Sequence, residues 1–251
     1  MEPFIIEVSN LSKQFRGTGF YSVDHLSLQI RRNEIYGILG PNGAGKTTLI
    51  SMMCGYLKPT GGKIKINGLN LSSNLKKIQQ IIGVVPQEYA LYGTLTAREN
   101  LIYFGAMYGL KGKELFDKIN YALERLGLDK FADKKIETFS GGMKRRVNLI
   151  AGILHQPELL FLDEPTVGVD VQSRTAIIDY LKELNGQGMS IIYTSHHLAE
   201  AEDLCSSIAI VDHGKILVEG RPSELTATTG LSGGLEGIFV ELTGKGLRDH
   251  V

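Results

Sequence analysis

The sequence is poor in cysteine, has no surplus of charge of either sign and contains no long apolar run. Its two cysteines, Cys54 and Cys205, stand far apart in 251 residues with neither metal-ligand nor disulfide-framework spacing. They are read as small core residues in a reducing compartment. Lys plus Arg and Asp plus Glu each number 27, a formal net charge of zero, so nothing in the balance asks for nucleic acid or an acidic membrane surface. The basic runs Lys76-Lys77, Lys134-Lys135 and Lys144-Arg145-Arg146 are read as solvated faces. No window approaches the roughly 18 apolar residues of a spanning helix, and "MEPFIIEVSN" lacks a basic segment followed by an apolar stretch. A cytoplasmic chain, not itself membrane-inserted, is the expectation. The length suits one large domain, or a domain with a subdomain, without internal repeats.

Patterning divides the chain by texture. Alternation in "HLSLQI" (Leu26, Leu28, Ile30) and in "GKIKING" (Ile64, Ile66, then an Asn67-Gly68 turn) predicts a small antiparallel β-layer near the N-terminus. "EIYGILG" is a compact apolar strand running into a glycine-rich turn and the helical "KTTLISMMCGYL". From about Leu91 to His155 the texture is helical, opening on the capping-box pattern Thr96-Ala97-Arg98-Glu99. Strand and helix then alternate through "LLFLDE", "VQSRTAIIDYLKELNGQG", "MSIIYTS", "LAEAEDLC" and "SIAIVDHGKILVEG". That order predicts an α/β fold with a parallel sheet covered by helices.

The chemistry enters with "GPNGAGKT", Gly40 to Thr47, which matches G-x-x-x-x-G-K-[ST] between a strand and a helix. Glycines allow backbone N–H groups to curl around phosphates, and the helix start adds its dipole. Nucleotide contact is assigned to Gly40, Pro41, Asn42, Gly43, Ala44, Gly45, Lys46, Thr47 and Thr48. Lys46 reaches the β- and γ-phosphates and Thr47 holds Mg²⁺. "LLFLDE" supplies a carboxylate at a strand end, so Asp163 is the expected Mg²⁺ partner. Glu164, expected to alternate to the other side of that strand, is placed to position or deprotonate the attacking water.

With "VVPQE", "FSGGM", "LLFLDEP", "EPTVGVD" and "TSHH" added in that order, nearly the whole chain resembles the ATP-binding subunits of ABC transporters. The resemblance implies a P-loop NTPase of ABC type: a mixed or parallel sheet core with the antiparallel β-layer (1–90 and 157–230), a helical subdomain (91–156) and a tail (231–251). Two stretches compete for the family signature. Ser140 lies 23 residues before Asp163 and precedes "MKRRVNLIAGILHQPE", with Val147, Ile150, Ile153 and Leu154 on its apolar side. Ser232 in "LSGGL" is spelled closer to the family's pentapeptide but follows every other motif, and is read as a flexible loop.

The resemblance assigns Ser140, Gly141 and Gly142 to the γ-phosphate bound at a partner copy's Lys46, so two ATP molecules lie between two subunits packed head to tail. It assigns His196 as the switch histidine, with His197 turned to the other side, and Gln87 as the sensor touching Mg²⁺ or the attacking water. Asp170 aligns the partner's site, and Phe15 stacks on adenine, with Phe20 and Tyr21 in reserve. Phe139 and Met143 stand where the family pattern has leucine and glutamine.

The implied function is an ATP-hydrolysing motor for separate transmembrane permease subunits, docked near "EYALYGTLT". "EPTVGVD" and the tail "GIFVELTGKGLRD" lean to the drug and polysaccharide exporter branch. A soluble ABC-type ATPase of ribosomes or chromosomes is the alternative, but it fits poorly with one cassette and a Lys46-to-Ser140 interval of 94 residues. A metabolic kinase leaves Ser140 to Gly142 and His196 without a role. Lys46→Ala should weaken binding of a fluorescent ATP analogue by at least about tenfold, the worth of a charge-assisted hydrogen bond; an unchanged titration curve would remove the phosphate-loop assignment.

Overall fold

A computed structural model describes residues 3–229 and 234–244. These form two compact units, one of residues up to 79 and from 190 onward, the other of residues 80–189.

The first unit opens with the antiparallel pair β1 (Phe4–Gln14) and β2 (Tyr21–Arg31). Alternation buries Val23, Leu26, Leu28 and Ile30 of β2, the pattern of a sheet with one face on a core. β3 (Ile35–Leu39) is apolar and buried along its whole length, and α1 (Lys46–Met53) follows the phosphate loop. β4 (Gly61–Ile66) pairs with β1 and turns into β5 (Leu69–Asn70) through Asn67 and Gly68, with φ of 52° and 72°. Positive φ at both centres is the tight-hairpin geometry that Asn-Gly favours. The antiparallel sheet runs β2-β1-β4-β5, and α2 (Leu71–Ile81) leads out of it.

The second unit contains β6 (Ile82–Val85), α3 (Ala97–Met107), α4 (Gly112–Arg125), α5 (Gly141–Ile153), β7 (Leu159–Asp163) and α6 (Val171–Gly186). β6 and β7 pair in parallel. The expected capping box starts α3: Thr96 Oγ1 accepts from Glu99 N–H at 3.1 Å and the Glu99 carboxylate accepts from Thr96 N–H at 2.8 Å. The Thr96 backbone bond, then its side chain, holds the Glu99 carboxyl below its ordinary range. Buried Asn100 accepts from Tyr92 N–H (2.8 Å) and donates to the carbonyls of Tyr92 (3.1 Å) and Thr96 (2.9 Å), fastening the preceding loop. Val147, Ile150, Ile153 and Leu154 are buried as their spacing predicts.

The chain returns to the first unit with β8 (Ser190–Ser195), α7 (Leu198–Leu204), β9 (Ser207–Asp212), β10 (Lys215–Gly220), α8 (Pro222–Thr229) and α9 (Gly234–Thr243). Its strands of the second, mixed sheet run β10-β9-β3-β8, with β3 parallel to both neighbours and β10 antiparallel to β9. Cys54 and Cys205 are both buried, as expected. The stretch "LEGIFVELT" lies within α9 despite Gly237 in its interior. Leu235, Ile238 and Phe239 are buried at i, i+3 and i+4, and that apolar stripe outweighs the cost of about 1 kcal/mol for Gly237 in a helix. Ser232 and Gly233 of the rival SGG lie outside the described residues, but its Gly234 opens α9, so the expected flexible loop has given way to helix by that residue.

Thr96→Ala removes one half of the capping box and should lower unfolding stability by about 1 kcal/mol. Urea denaturation of the two proteins checks this, and coincident midpoints would contradict it.

Candidate active site

In the first unit the phosphate loop leaves β3 at Leu39 and enters α1 at Gly45, which has φ of 104°, a region open chiefly to glycine. A β-carbon at Gly45 would press into the Ser22 carbonyl, and one at Gly40 into that of Val211. Backbone thus closes on backbone around the loop. α1 has no side-chain cap and no acidic residue in its first turn. Its opening N–H groups lie at the positive end of the dipole, where an anion is favoured. Lys46 is buried, and its ammonium donates to Gly40 O at 2.7 Å and Pro41 O at 3.2 Å. Asn42, Gly43 and Thr47 are exposed, while Ala44 is buried beneath them.

β8 runs beside β3 with Ser195 opposite Leu39, so His196 and Gly40 leave adjacent parallel strands at one level. His197 N–H donates to Ser195 Oγ at 2.8 Å, and His197 takes the N-cap position of α7. The two imidazoles do not diverge as strand alternation suggested. β8 has already ended, and their centroids lie 4.3 Å apart. Phe15 follows β1 and is 41% exposed, Phe20 is 65% exposed, and Thr18 Oγ1 donates to Phe15 O at 2.8 Å within the intervening turn. The Lys13 ammonium sits 5.2 Å from the Phe15 ring centroid. Tyr21 meets His25 edge-on at 5.5 Å.

In the second unit Val85 of β6 pairs with Leu162 of β7, so the segment carrying Gln87 and the pair Asp163-Glu164 emerge at one end of two parallel strands. Both carboxylate residues are buried, at 6% and 7% exposure. The sequence placed Glu164 by alternation along the strand. In the structure β7 ends at Asp163, and Glu164 takes a left-handed φ of 49°. A turn therefore aims Glu164, in a conformation that costs a non-glycine residue about 1–2 kcal/mol.

Ser140 caps α5, its Oγ accepting from Met143 N–H at 3.3 Å. Gly142 has no room for a side chain: a β-carbon would lie 2.5 Å from Ser173 Oγ and 2.7 Å from Asp170 Oδ1. Asp170 caps α6, accepting from Ser173 N–H at 3.0 Å and from Ser173 Oγ at 2.7 Å. The Ser173 hydroxyl, then its amide, holds the Asp170 carboxyl below its ordinary range. Phe139, where the family pattern has leucine, is buried edge-on to Phe131. An aromatic group of Tyr92, Tyr103 and Phe104 lies near the "EYALYGTLT" loop, with Tyr92 and Tyr103 exposed and their centroids 5.1 Å apart.

Residues 23–167 match the family model described as ABC transporter. The chain belongs to the ABC transporter family. It is 48% identical over 208 residues to the linearmycin resistance ATP-binding protein LnrL of Bacillus subtilis (strain 168), an alignment covering 83% of this chain and 67% of LnrL. It is 38% identical over 223 residues to the probable multidrug ABC transporter ATP-binding protein YbhF of Escherichia coli (strain K12), covering 89% of this chain. The match spans only 38% of the length of YbhF. A solved structure described as the ATP binding subunit of an ABC transporter aligns with a TM-score of 0.86 at 30% identity, covering 95% of this chain and 99% of that one.

One part of this ABC transporter chain differs from its sequence reading. Lys76-Lys77 and Lys134-Lys135 are exposed, but Arg145 is only 4% exposed. It falls on the face of α5 that carries buried Asn148 and Leu149 at i+3 and i+4. Arg146 donates to the carbonyls of Leu126 (2.7 Å) and Gly142 (3.3 Å). Burial pulls the guanidinium pKa of both arginines down. Three successive basic residues read as surface, whereas helical periodicity turns one of them inward.

Gly142→Ala should lower unfolding stability by about 1–3 kcal/mol through overpacking against Ser173. Gly141→Ala, whose β-carbon would stand 3.4 Å from Tyr89 Oη, should be tolerated. Equal denaturation midpoints for the two variants would show that the Gly142 contact is not constraining.

Proposed function

We propose that this chain is the ATP-hydrolysing motor subunit of a membrane exporter, working as a pair of copies, or with a paralogue, beneath separate transmembrane subunits. The observation that carries the reading is the uncapped α1 start, held open by Gly45 with buried Lys46 beside it. A phosphate chain is the kind of anion that a helix start beside a lysine takes. Among the described residues no helix is long and apolar enough to cross a membrane, and transport in this reading belongs to partner subunits.

Each residue then has a role. The backbone N–H groups of Gly40–Thr48, Pro41 excepted, cradle the phosphates, and the Lys46 ammonium leaves the Gly40 and Pro41 carbonyls for the β- and γ-phosphate oxygens. Phe15 offers adenine an exposed ring face. Thr47 and Asp163 are hard oxygen donors of the kind that hold Mg²⁺ together with phosphate. When bound, that ion neutralises charge developing on the phosphates. Glu164 orients a water and takes its proton as the water oxygen bonds to the γ-phosphorus and the bond to the β-phosphate oxygen breaks, releasing ADP and phosphate. His196 donates to the γ-phosphate, and Gln87 would touch Mg²⁺ or the attacking water. Ser140, Gly141 and Gly142 contact the γ-phosphate held by the other copy, and Asp170 lies where that copy is met.

The exposed aromatics near Tyr92 are the docking face for a cytoplasmic helix of the permease, and the subunit works at the inner face of the cell membrane. Export follows the relatives, one a linearmycin resistance ATP-binding protein and the other a probable multidrug ABC transporter ATP-binding protein. The soluble-ATPase alternative is not favoured by those names.

Two measurements test the proposal. Glu164→Gln should abolish ATP turnover, and a rate near that of the parent would take Glu164 out of its role. The tagged Glu164→Gln chain, isolated from native membranes in mild detergent, should bring with it a protein carrying several spanning helices. Recovery with ribosomes, or alone from the soluble fraction, would transfer the function to the soluble alternative.

A further inference from the structure

We propose that Arg145, together with Tyr89, is a positioning residue that locks the Gln87 segment to the start of helix α5, so that the sensor loop and the signature move as one body. The proposal rests on the reading of Ser140 to Gly142 given above and names the side chains that would carry its signal.

The contacts form one continuous clasp within the second unit. Arg145 Nη1 donates to Gln87 O at 2.7 Å and to Pro86 O at 3.3 Å. Its guanidinium carbon lies 4.9 Å from the centroid of the Tyr89 ring, a cation–π distance. Tyr89 Oη in turn donates to Gly141 O at 3.2 Å, in the first turn of α5. Asn148, also buried, accepts from Ala90 N–H at 3.1 Å and donates to Pro86 O at 3.4 Å. Residues 141, 145 and 148 share one face of α5 at i, i+4 and i+7, and that face holds the backbone of residues 86–90 at several points.

A simple surface arginine would not be built this way. Arg145 is nearly inaccessible, its charge is compensated by backbone carbonyls and a ring face, and the fields of Glu164 and Asp163 also reach it. Charge-assisted bonds from a buried cation are the strong kind and fix geometry as well as energy. A displacement of residues 88–94 by a docked membrane partner would therefore be carried to Gly141 and Ser140. Closure of Ser140 on a phosphate would be carried back to Gln87.

Hydrogen exchange followed by mass spectrometry on the Glu164→Gln chain tests the clasp in two arms. Without nucleotide, adding Arg145→Lys should speed exchange at residues 86–90 by about tenfold, the worth of one charge-assisted bond. Tyr89→Phe, at an exposed residue that does not endanger the fold, should speed it about fivefold. Unchanged exchange in both variants would overturn the clasp, whatever the chain does with ATP. With ATP and Mg²⁺, residues 86–90 and 139–146 should slow together in the parent, whereas in Arg145→Lys only 139–146 should slow. Joint slowing in that variant would also overturn the proposal. A parent in which 139–146 ignores ATP would instead count against the paired-site reading, and the nucleotide-free arm would still decide the clasp.

Discussion

The whole design depends on a helix start that no side chain of its own caps. α1 begins at Gly45 with no capping side chain and no acidic residue in the first turn, although four N–H groups open every helix without an internal partner. The loop before it is closed by backbone approaching backbone, at Gly40 against Val211 and at Gly45 against Ser22. Side chains there would both fill the cradle and strain it. Lys46, buried and held by two loop carbonyls, keeps a cation beside those amides before any phosphate arrives.

The contrast with α5 is informative. That helix is capped by its own Ser140, and its second glycine is packed against Ser173 and Asp170. α1 is built to be completed by a ligand, whereas α5 is braced from within, by Asp170 on one side and by Arg145 and Tyr89 on the other. Bracing holds the turn from Ser140 to Gly142 in one geometry. The left-handed Glu164 fits the same logic, because a carboxylate fixed by a turn does not depend on the register of a strand.

The fold was legible wherever its signals are local. The phosphate loop, the capping box at Thr96, the Asn67-Gly68 hairpin and the apolar strands β3, β7 and β8 all carry a short pattern tied to one backbone conformation. α9 was harder, because the penalty at Gly237 is local while the burial of Leu235, Ile238 and Phe239 that offsets it is tertiary. Arg145 was misread for the same reason: a run of basic residues suggests solvent, and only the helical phase of α5 turns one of them inward. Glu164 was placed by strand alternation, which fails where a strand ends one residue early. The role of Asp170 as a helix cap had a readable signal, since Asp is a preferred N-cap residue and stands directly before the helical stretch that opens at Val171.

In the proposed function one copy holds two halves of different sites, and ATP joins two copies. Light scattering of the purified Glu164→Gln chain, with and without ATP and Mg²⁺, tests it most directly. The predicted result is a doubled mass only with ATP, lost in Ser140→Arg and retained in Ser232→Arg. A monomer under every condition, or a dimer that survives Ser140→Arg and disappears in Ser232→Arg, would contradict the account.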